Sequence, residues 1–290
     1  ILKENKRPSL GEFSASKIQT YLDCPYRYFL RYERKIRFDE SKLAEWGPKF
    51  EGIFEHELIS AFLLKDGRIN KDLYLKLRSK LEFFLEEKHL LLDFWTFESF
   101  LAQLEGKLKK IELFFSSLIG KLNHPRVSFE QEFHYASSSF NYGGKIDLTI
   151  ESEEGLFLFD LKRSSSSIPS ENELMNFDVI QLWHYAFLLS KHCKKPVMLM
   201  GYLNLQELEE SRLYDFSSPV SLMKDQKIRI KKMDDNFEEW MKRYQKFLTN
   251  WHLIRKESSF SIRPRKEAVC RYCDFKGVCP KEDMMEGSLS

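Results

Sequence analysis

The sequence has no long apolar segment. Its longest apolar stretches, such as residues 199–203, fall far short of the roughly 20 residues that cross a bilayer. The first ten residues also lack the apolar core of a signal peptide. These absences argue against a membrane-spanning or exported protein, and we expect the chain to work in the cytoplasm.

A large excess of either charge is also missing. The 46 Lys and Arg residues against 44 Asp and Glu residues give a net charge of +2, so a surface that binds DNA must be local. No P-loop occurs, because Gly120-Lys121 and Gly144-Lys145 are each followed by an apolar residue rather than Ser or Thr. We therefore expect no ATPase site in this chain. The first residue, Ile1, favours a domain cut from a longer protein.

Cysteine is scarce, but its placement is informative. Five cysteines are too few, and odd in number, for a disulfide scaffold, which favours a reducing compartment. Cys270, Cys273 and Cys279 form a C-x2-C-x5-C cluster, and the distant Cys24, like Cys279, is followed by proline. This pattern predicts a four-cysteine iron–sulfur or zinc site that joins the two ends of the chain. The alternative is three loop cysteines and an unrelated buried one. Cys193 is expected to be a structural thiol at a helix end.

Hydrophobic periodicity predicts helices first and a small sheet afterwards. A period near 3.6 indicates helices over residues 16–32, 49–64, 71–88 and 97–122, the first interrupted at Cys24-Pro25. A period of 2 then indicates strands over residues 127–135, 142–150 and 156–162. A helix over 173–191, a buried strand over 196–203 and a last helix over 233–254 follow. The order predicts a helical subdomain followed by a sheet with flanking helices.

The segment GGKIDLTIESEEGLFLFDLKRS contains the residues best suited to chemistry. If the turn is centred between Glu153 and Glu154, positions that sum to 307 face each other, so Asp147 lies opposite Asp160 on adjacent strands. Directly opposed residues have Cβ atoms about 4.5–5.5 Å apart on one face of the sheet. Two carboxylates at that separation can share a divalent metal.

Lys162 completes this arrangement. It follows Asp160 by two residues and projects from the same face, whereas Phe159 and Leu161 point into a core. Two carboxylates, a metal and an ammonium group together can activate water and stabilise charge on a phosphate, which is the logic of phosphodiester hydrolysis. The alternative is a surface hairpin with solvated aspartates, because D-x-K occurs often by chance. Glu132, on the preceding strand, is a weaker candidate for a further carboxylate.

Taken together, these motifs resemble a known nuclease family. Asp147 followed by Asp160-Leu161-Lys162 resembles the PD-(D/E)XK motif, although Ile146 replaces the proline. The G-x-x-x-H element ending at His56 and the Q-x-x-x-Y element from Gln181 to Tyr185 resemble the flanking motifs of the RecB-like branch. With the four cysteines, the chain resembles the iron–sulfur nuclease domains at the C-terminus of AddB-type helicase–nuclease subunits, and the related CRISPR-adaptation exonucleases.

The resemblance implies a fold. It is an α/β (α+β) restriction-endonuclease-like core, a small mixed sheet flanked by helices, with a helical subdomain and an iron–sulfur staple between the two ends of the chain. We divide one integrated nuclease domain into a helical part (1–125), a nuclease core (126–255) and a cysteine-rich segment (256–290).

The resemblance also implies roles for individual residues. The expected ligands of Mg²⁺ or Mn²⁺ are His56, Asp147 and Asp160. The expected catalytic residues are Asp147, Asp160, Lys162, Gln181 and Tyr185. A 4Fe–4S cluster is expected on Cys24, Cys270, Cys273 and Cys279, with zinc as the alternative. For His56 and Tyr185 the competing interpretations are a helix histidine satisfied by Glu55 or Glu57, and an ordinary core tyrosine.

The implied function is a metal-dependent DNA exonuclease domain in recombination and repair. Its expected partners are DNA ends or single strands and a helicase or helicase–nuclease subunit, without a membrane. The alternatives are a non-catalytic DNA-binding module that keeps the fold and the cluster, a CRISPR-adaptation exonuclease, and a structural zinc or iron–sulfur protein with an accidental hairpin.

Overall fold

In the computed structural model, the described residues are 12–36, 46–63, 66–70, 72–137, 140–216, 228–257 and 260–280. They form helices α1 (Ala15–Asp23), α2 (Pro25–Tyr28), α3 (Pro48–Phe62), α4 (Asp72–Glu87), α5 (Phe94–Ile119), α6 (Glu171–Met175), α7 (Gln181–Cys193), α8 (Phe237–Glu257) and α9 (Glu267–Arg271). The strands are β1 (Phe13–Ser14), β2 (Arg126–Ala136), β3 (Asn141–Glu151), β4 (Leu156–Lys162), β5 (Val197–Asn204), β6 (Arg212–Asp215) and β7 (Arg229–Lys232).

All the strands of the described residues belong to one mixed sheet. Strands β3 and β4 pair over only part of their length, and we call the place where they separate the fork. Strand β2 pairs antiparallel along the whole of β3, so it occupies one edge of that strand. The other edge is shared, because β1 pairs parallel with Tyr142 and Gly143, and β4 pairs antiparallel with Leu148 to Glu151. The sheet continues from β4 through β5, β6 and β7. The stretch 144–147 therefore lies where β3 and β4 part.

The register of the β3–β4 hairpin is the one predicted from the sequence. Leu148 pairs with Phe159 and Glu151 with Leu156, each pair summing to 307. The Ser152 N–H donates to the Gly155 carbonyl over 2.9 Å and closes the turn. Gly155 has φ +143°, and a Cβ atom there would lie 2.4 Å from Cγ of Met198. Glycine is required at this position for both reasons.

Helices cover both faces of the sheet. One core holds side chains of α1, α7 and α8 against Leu156 and Leu158. The other holds α3, α4 and α5 against Phe157, Phe159 and Leu161. Strand β4 is almost wholly apolar because both of its faces are buried, and each such side chain contributes about 1.5–3 kcal/mol of burial free energy. This arrangement confirms the predicted α/β fold with a mixed sheet between helices.

Two expectations for local structure need correction. The helix predicted over 173–191 is two helices, because Phe177 takes a left-handed φ of +57° and Asp178 N–H turns back to the Glu173 carbonyl. A capping box between Ser170 and Glu173 starts α6, and α7 begins afresh at Gln181. Strands β1, β6 and β7 were not predicted, since segments of two to four residues carry no periodicity. The predicted interruption at Cys24-Pro25 is confirmed, because α1 ends before Cys24 and α2 begins at Pro25.

None of the helices in the described ranges is long and apolar enough to cross a membrane.

Candidate active site and cysteine cavity

Asp147 stands at the fork between β3 and β4. Its Oδ2 atom accepts a hydrogen bond of 2.8 Å from the Leu161 N–H. The side chain thus contacts the main chain of β4 where the main-chain pairing between the two strands has ended. Burial, together with the nearby charge of Asp160, raises the pKa of Asp147 to about 6, against the opposing effects of His56 and Lys162. Two carboxylates therefore share a buried space, which is costly unless a cation joins them.

Lys162 connects this pair of carboxylates to helix α7. Its Nζ atom lies 2.7 Å from Oδ2 of Asp160 and donates to Oε1 of Gln181 over 3.0 Å. The amide Nε2 of Gln181 donates to Oη of Tyr185 over 3.3 Å. Burial, and to a lesser extent the charge of Asp160, raises the pKa of Tyr185, so its hydroxyl keeps its proton. The break before α7 places Gln181 in the first turn of that helix, directly beside the lysine.

His56 lies on α3, which packs on the face of the sheet opposite to α7. Its Nε2 atom lies 3.0 Å from the carbonyl oxygen of Leu161, and because a carbonyl can only accept, Nε2 carries the proton. The lone pair is then on Nδ1, which lies 3.8 Å from Oε1 of Glu130 and 3.9 Å from Oδ2 of Asp147. A backbone carbonyl that fixes the histidine tautomer is the usual support for a metal-binding imidazole. His56 is satisfied by neither Glu55 nor Glu57 in this arrangement.

Glu130 is the site residue that sequence reasoning missed. It stands opposite Asp147, because its neighbours Phe129 and Gln131 pair with Leu148 and Ile146. It also has a φ of +50°, a left-handed conformation that costs a glutamate on the order of 1–3 kcal/mol. One ligand atom each from His56, Glu130 and Asp147 lies within 4.8 Å of the others. Extending the hairpin argument by one strand, to the pairing of β2 with β3, would have identified it.

Glu132 is placed differently from Glu130. Its side chain is 69% exposed, and its Oε2 atom lies 3.9 Å from Nε2 of His134 rather than near His56. The carboxylate that β2 contributes beside Asp147 is Glu130, which also forms an ion pair with Lys145.

The donor set fits a hard divalent cation. Asp160 is fully buried, and neither of its carboxylate oxygens has a hydrogen-bond partner within the described residues, so the ion pair with Lys162 is the main compensation for its charge. Ligands of an octahedral Mg²⁺ at about 2.0–2.1 Å are themselves about 2.9–4.2 Å apart. The separations around Nδ1 of His56 fall in that range. Asp160 lies beside the group of His56, Glu130 and Asp147 rather than within it.

The four cysteines come together around a cavity of their own. Cys24, Cys270, Cys273 and Cys279 all line one cavity of about 350 Å³. Cys24 lies between α1 and α2, and the other three lie on α9 and the turns that follow it. Burial raises the pKa of the Cys273 thiol. Cys193 is the last residue of α7 and lines a different pocket, as expected for a thiol at a helix end.

Polar contacts join the two ends of the chain around this cavity. The Arg265 N–H donates to the Asp23 carbonyl over 2.8 Å, and Arg31 pairs with Asp274. In the described segments, no three cysteine sulfurs lie within 4.8 Å of one another. A zinc tetrahedron with bonds of about 2.3 Å needs sulfurs about 3.8 Å apart. The thiols are therefore not arranged as in a preformed zinc tetrahedron.

Residues 12–280 match the sequence model of the PD-(D/E)XK nuclease superfamily, and the chain belongs to this superfamily. It is thus a nuclease, a hydrolase of phosphodiester bonds, and Mg²⁺ or Mn²⁺ is the typical cofactor of such enzymes. Two solved structures are also similar. One is a protein of Eubacterium rectale provisionally named as an exonuclease, with 10% identity, a TM-score of 0.47, and 94% of this chain and 93% of that chain covered. The other is SSO0001, with 14% identity, a TM-score of 0.28, and 91% and 95% covered.

Proposed function

We propose that the chain is a metal-dependent deoxyribonuclease of the RecB/AddB type, which degrades DNA from ends or along single strands in recombination and repair. The observation that carries this proposal is the fork of β3 and β4. There Asp147, Asp160 and Lys162 meet His56, which comes from a helix far away in sequence. The same residues in the same order are the motif set of that branch.

In this proposal the cation is Mg²⁺ or Mn²⁺, held by Nδ1 of His56 and by the carboxylates of Asp147 and Asp160, with Glu130 as a further ligand. A cation held there supplies positive charge to the scissile phosphate and to the attacking water, the two places where hydrolysis builds or moves negative charge. The carboxylate of Asp160, which is fully buried and compensated mainly by Lys162, supports the assignment.

Lys162 is assigned to the reacting phosphate or to the nucleophilic water. Asp160 and Gln181 hold its ammonium group from two sides, so it is already oriented before substrate arrives. Preorganised charge of this kind stabilises a transition state without reorganisation during the reaction. Gln181 positions the lysine, and Tyr185 in turn supports Gln181 as a neutral hydrogen-bonding partner.

For the cysteine cavity we propose a 4Fe–4S cluster. Four thiols that line one cavity of about 350 Å³ support a group held by four sulfurs, and the resemblance to iron–sulfur nuclease domains favours the cluster over zinc. Because its ligands come from both ends of the chain, binding free energy at this site becomes folding free energy. Hydrolysis transfers no electrons, so a structural role is sufficient.

The same proposal extends to organisation and partners. Residues 1–125, 126–255 and 256–290 are parts of one nuclease domain, as supported by the pairing of β1 with β3 and by the packing of α1 in the core with α7 and α8. A helicase or helicase–nuclease subunit would supply the motor that unwinds DNA for this nuclease.

The test uses end-labelled linear DNA, single- and double-stranded, beside covalently closed circular DNA of the same sequence. With Mg²⁺ or Mn²⁺ we expect progressive loss of the linear substrates, survival of the circle, and no digestion in EDTA. Cleavage of the closed circle at the same rate would contradict the exonuclease assignment. Failure to digest any DNA with either metal would contradict the deoxyribonuclease assignment.

A further inference from the structure

A second cavity opens where the ends of β2 and β3 meet α7 and α8. Its volume is about 360 Å³, and its walls are unusually rich in aromatic rings. We call it the aromatic–lysine pocket, and its defining residues are Tyr135, Phe140, Tyr142, Phe187, Lys191, His252 and Lys256. It shares no lining residue with the catalytic group or with the cysteine cavity.

The aromatic rings that line this pocket pack against one another. His252 stacks on Phe140 with centroids 3.4 Å apart, and its Nε2 atom lies 2.8 Å from Oη of Tyr142. Tyr135 lies parallel to Tyr142, and Phe187 contacts both tyrosines edge-on. Tyr135 lines the pocket and is partly exposed, so part of its ring is accessible from the pocket.

His252 supplies an unsatisfied polar atom at this surface. It is 3% exposed, and its Nδ1 atom has no hydrogen-bond partner within the described part of the chain. Burial, with Arg255 and Lys256 nearby, lowers the pKa of His252 to about 4, so the ring is neutral at pH 7. A buried polar nitrogen without a partner costs free energy.

Two lysines give the pocket its charge. Nζ of Lys191 lies 5.8 Å from the ring centre of Tyr135 and 5.7 Å from that of Phe187, and Nζ of Lys256 lies 5.4 Å from that of Phe140. No acidic group among the described residues forms an ion pair with either ammonium. The pocket thus combines flat rings with uncompensated positive charge, which is the chemistry of proteins that bind single-stranded nucleic acid.

We propose that the aromatic–lysine pocket is a nucleotide subsite, in which one base of a single-stranded substrate stacks on Tyr135 while neighbouring phosphates contact Lys191 and Lys256. The inference rests on the proposed function, because it assigns this subsite to the strand that the nuclease cuts. Gln181 and Lys191 are ten residues apart on α7, about 15 Å, so the subsite lies a few nucleotides from the cleaved bond.

Binding is measured without cleavage, in the Lys162→Ala background and with EDTA. The probes are single-stranded oligodeoxynucleotides, each with one 2-aminopurine at a different position, whose fluorescence falls when the base stacks. Anisotropy of an end label gives the affinity. We compare Tyr135→Leu and Lys191→Ala/Lys256→Ala with the charge-matched control Lys76→Ala/Lys80→Ala on α4. Thermal unfolding checks that each variant is folded.

The expected result is quenching at one defined position, which Tyr135→Leu abolishes, and an affinity about tenfold weaker in Tyr135→Leu and in the Lys191/Lys256 variant. The Lys76/Lys80 control should keep the parent affinity. Equal weakening in both lysine pairs, or unchanged quenching in Tyr135→Leu, would overturn the subsite. Because cleavage is assayed separately in the wild type, an inactive protein that still shows this pattern refutes the deoxyribonuclease proposal and leaves the nucleic-acid subsite standing.

Discussion

The most informative perturbation concerns the buried ion pair of Glu55 with Lys107, which joins α3, the helix of His56, to α5. Glu55 precedes His56 on α3 and is 2% exposed, and its Oε1 atom lies 2.6 Å from Nζ of Lys107 on α5, whose side chain is 12% exposed. The second oxygen of Glu55 has no hydrogen-bond partner among the described residues. Burial raises the pKa of Glu55, and the charge of Lys107 opposes this effect. Lys107 is therefore the main reason that this carboxylate can remain charged.

Replacing Lys107 by Met leaves an uncompensated buried carboxylate, which costs about 3–5 kcal/mol of unfolding free energy. The double variant Glu55→Gln/Lys107→Met removes both charges and should return to within about 1 kcal/mol of the wild type. The control is Lys109→Met on the same helix, which breaks the exposed pair with Glu105 and should cost less than about 1 kcal/mol.

The assay is urea unfolding of the three variants at pH 5 and pH 8. Burial raises the pKa of Glu55, so the folded protein holds its proton more tightly than the unfolded chain does. The contribution of Glu55 to the free energy of unfolding is therefore present at low pH and is lost as pH rises. The cost of Lys107→Met should therefore be larger at pH 8 than at pH 5. The reasoning is refuted if the single variant costs less than Lys109→Met, or if the double variant is no more stable than the single one.

Three further predictions concern the metal and cysteine sites. Burial raises the pKa of Asp147 to about 6 from 3.8, a difference of about 3 kcal/mol, so in EDTA the wild type should lose stability relative to Asp147→Asn as pH rises from 4 to 7. Parallel stability profiles would contradict this. Glu130→Gln should weaken Mn²⁺ binding in calorimetry at least about tenfold, and an unchanged affinity would remove Glu130 from the ligand set. Cys270→Ser should lose iron and visible absorbance while Cys193→Ser keeps both; equal iron contents would exclude the four-cysteine cluster.

The hairpin was predictable because its two determinants are local. A short polar turn with a glycine fixes the pairing of β3 with β4. Continued one position beyond the last pair, Leu148 with Phe159, the same register brings Asp147 and Asp160 together. The long helices were predictable for the same reason, since each has an apolar face with regular spacing. The motif residues of the candidate site could then be placed on named strands and helices.

Features that depend on contacts between distant parts of the chain could not be predicted from local sequence patterns. The left-handed conformation of Glu130 is not marked by a glycine in the sequence. The pairing of Glu55 with Lys107 requires that α3 pack on α5, which periodicity does not specify. The break between α6 and α7 arises from a capping box and from the turn at Phe177, which compete with an uninterrupted apolar pattern.

The central claim is that the fork of β3 and β4 is a nuclease centre with Lys162 as its charged catalytic group. The direct measurement is single-turnover cleavage of an end-labelled single-stranded oligodeoxynucleotide with Mg²⁺, by wild type, Lys162→Ala and the control Lys195→Ala. The control removes a lysine that forms an ion pair with Glu151, at the other end of the hairpin. We predict a rate at least about 100-fold lower in Lys162→Ala alone, with Mn²⁺ binding retained. Cleavage by Lys162→Ala at the wild-type rate would contradict the account.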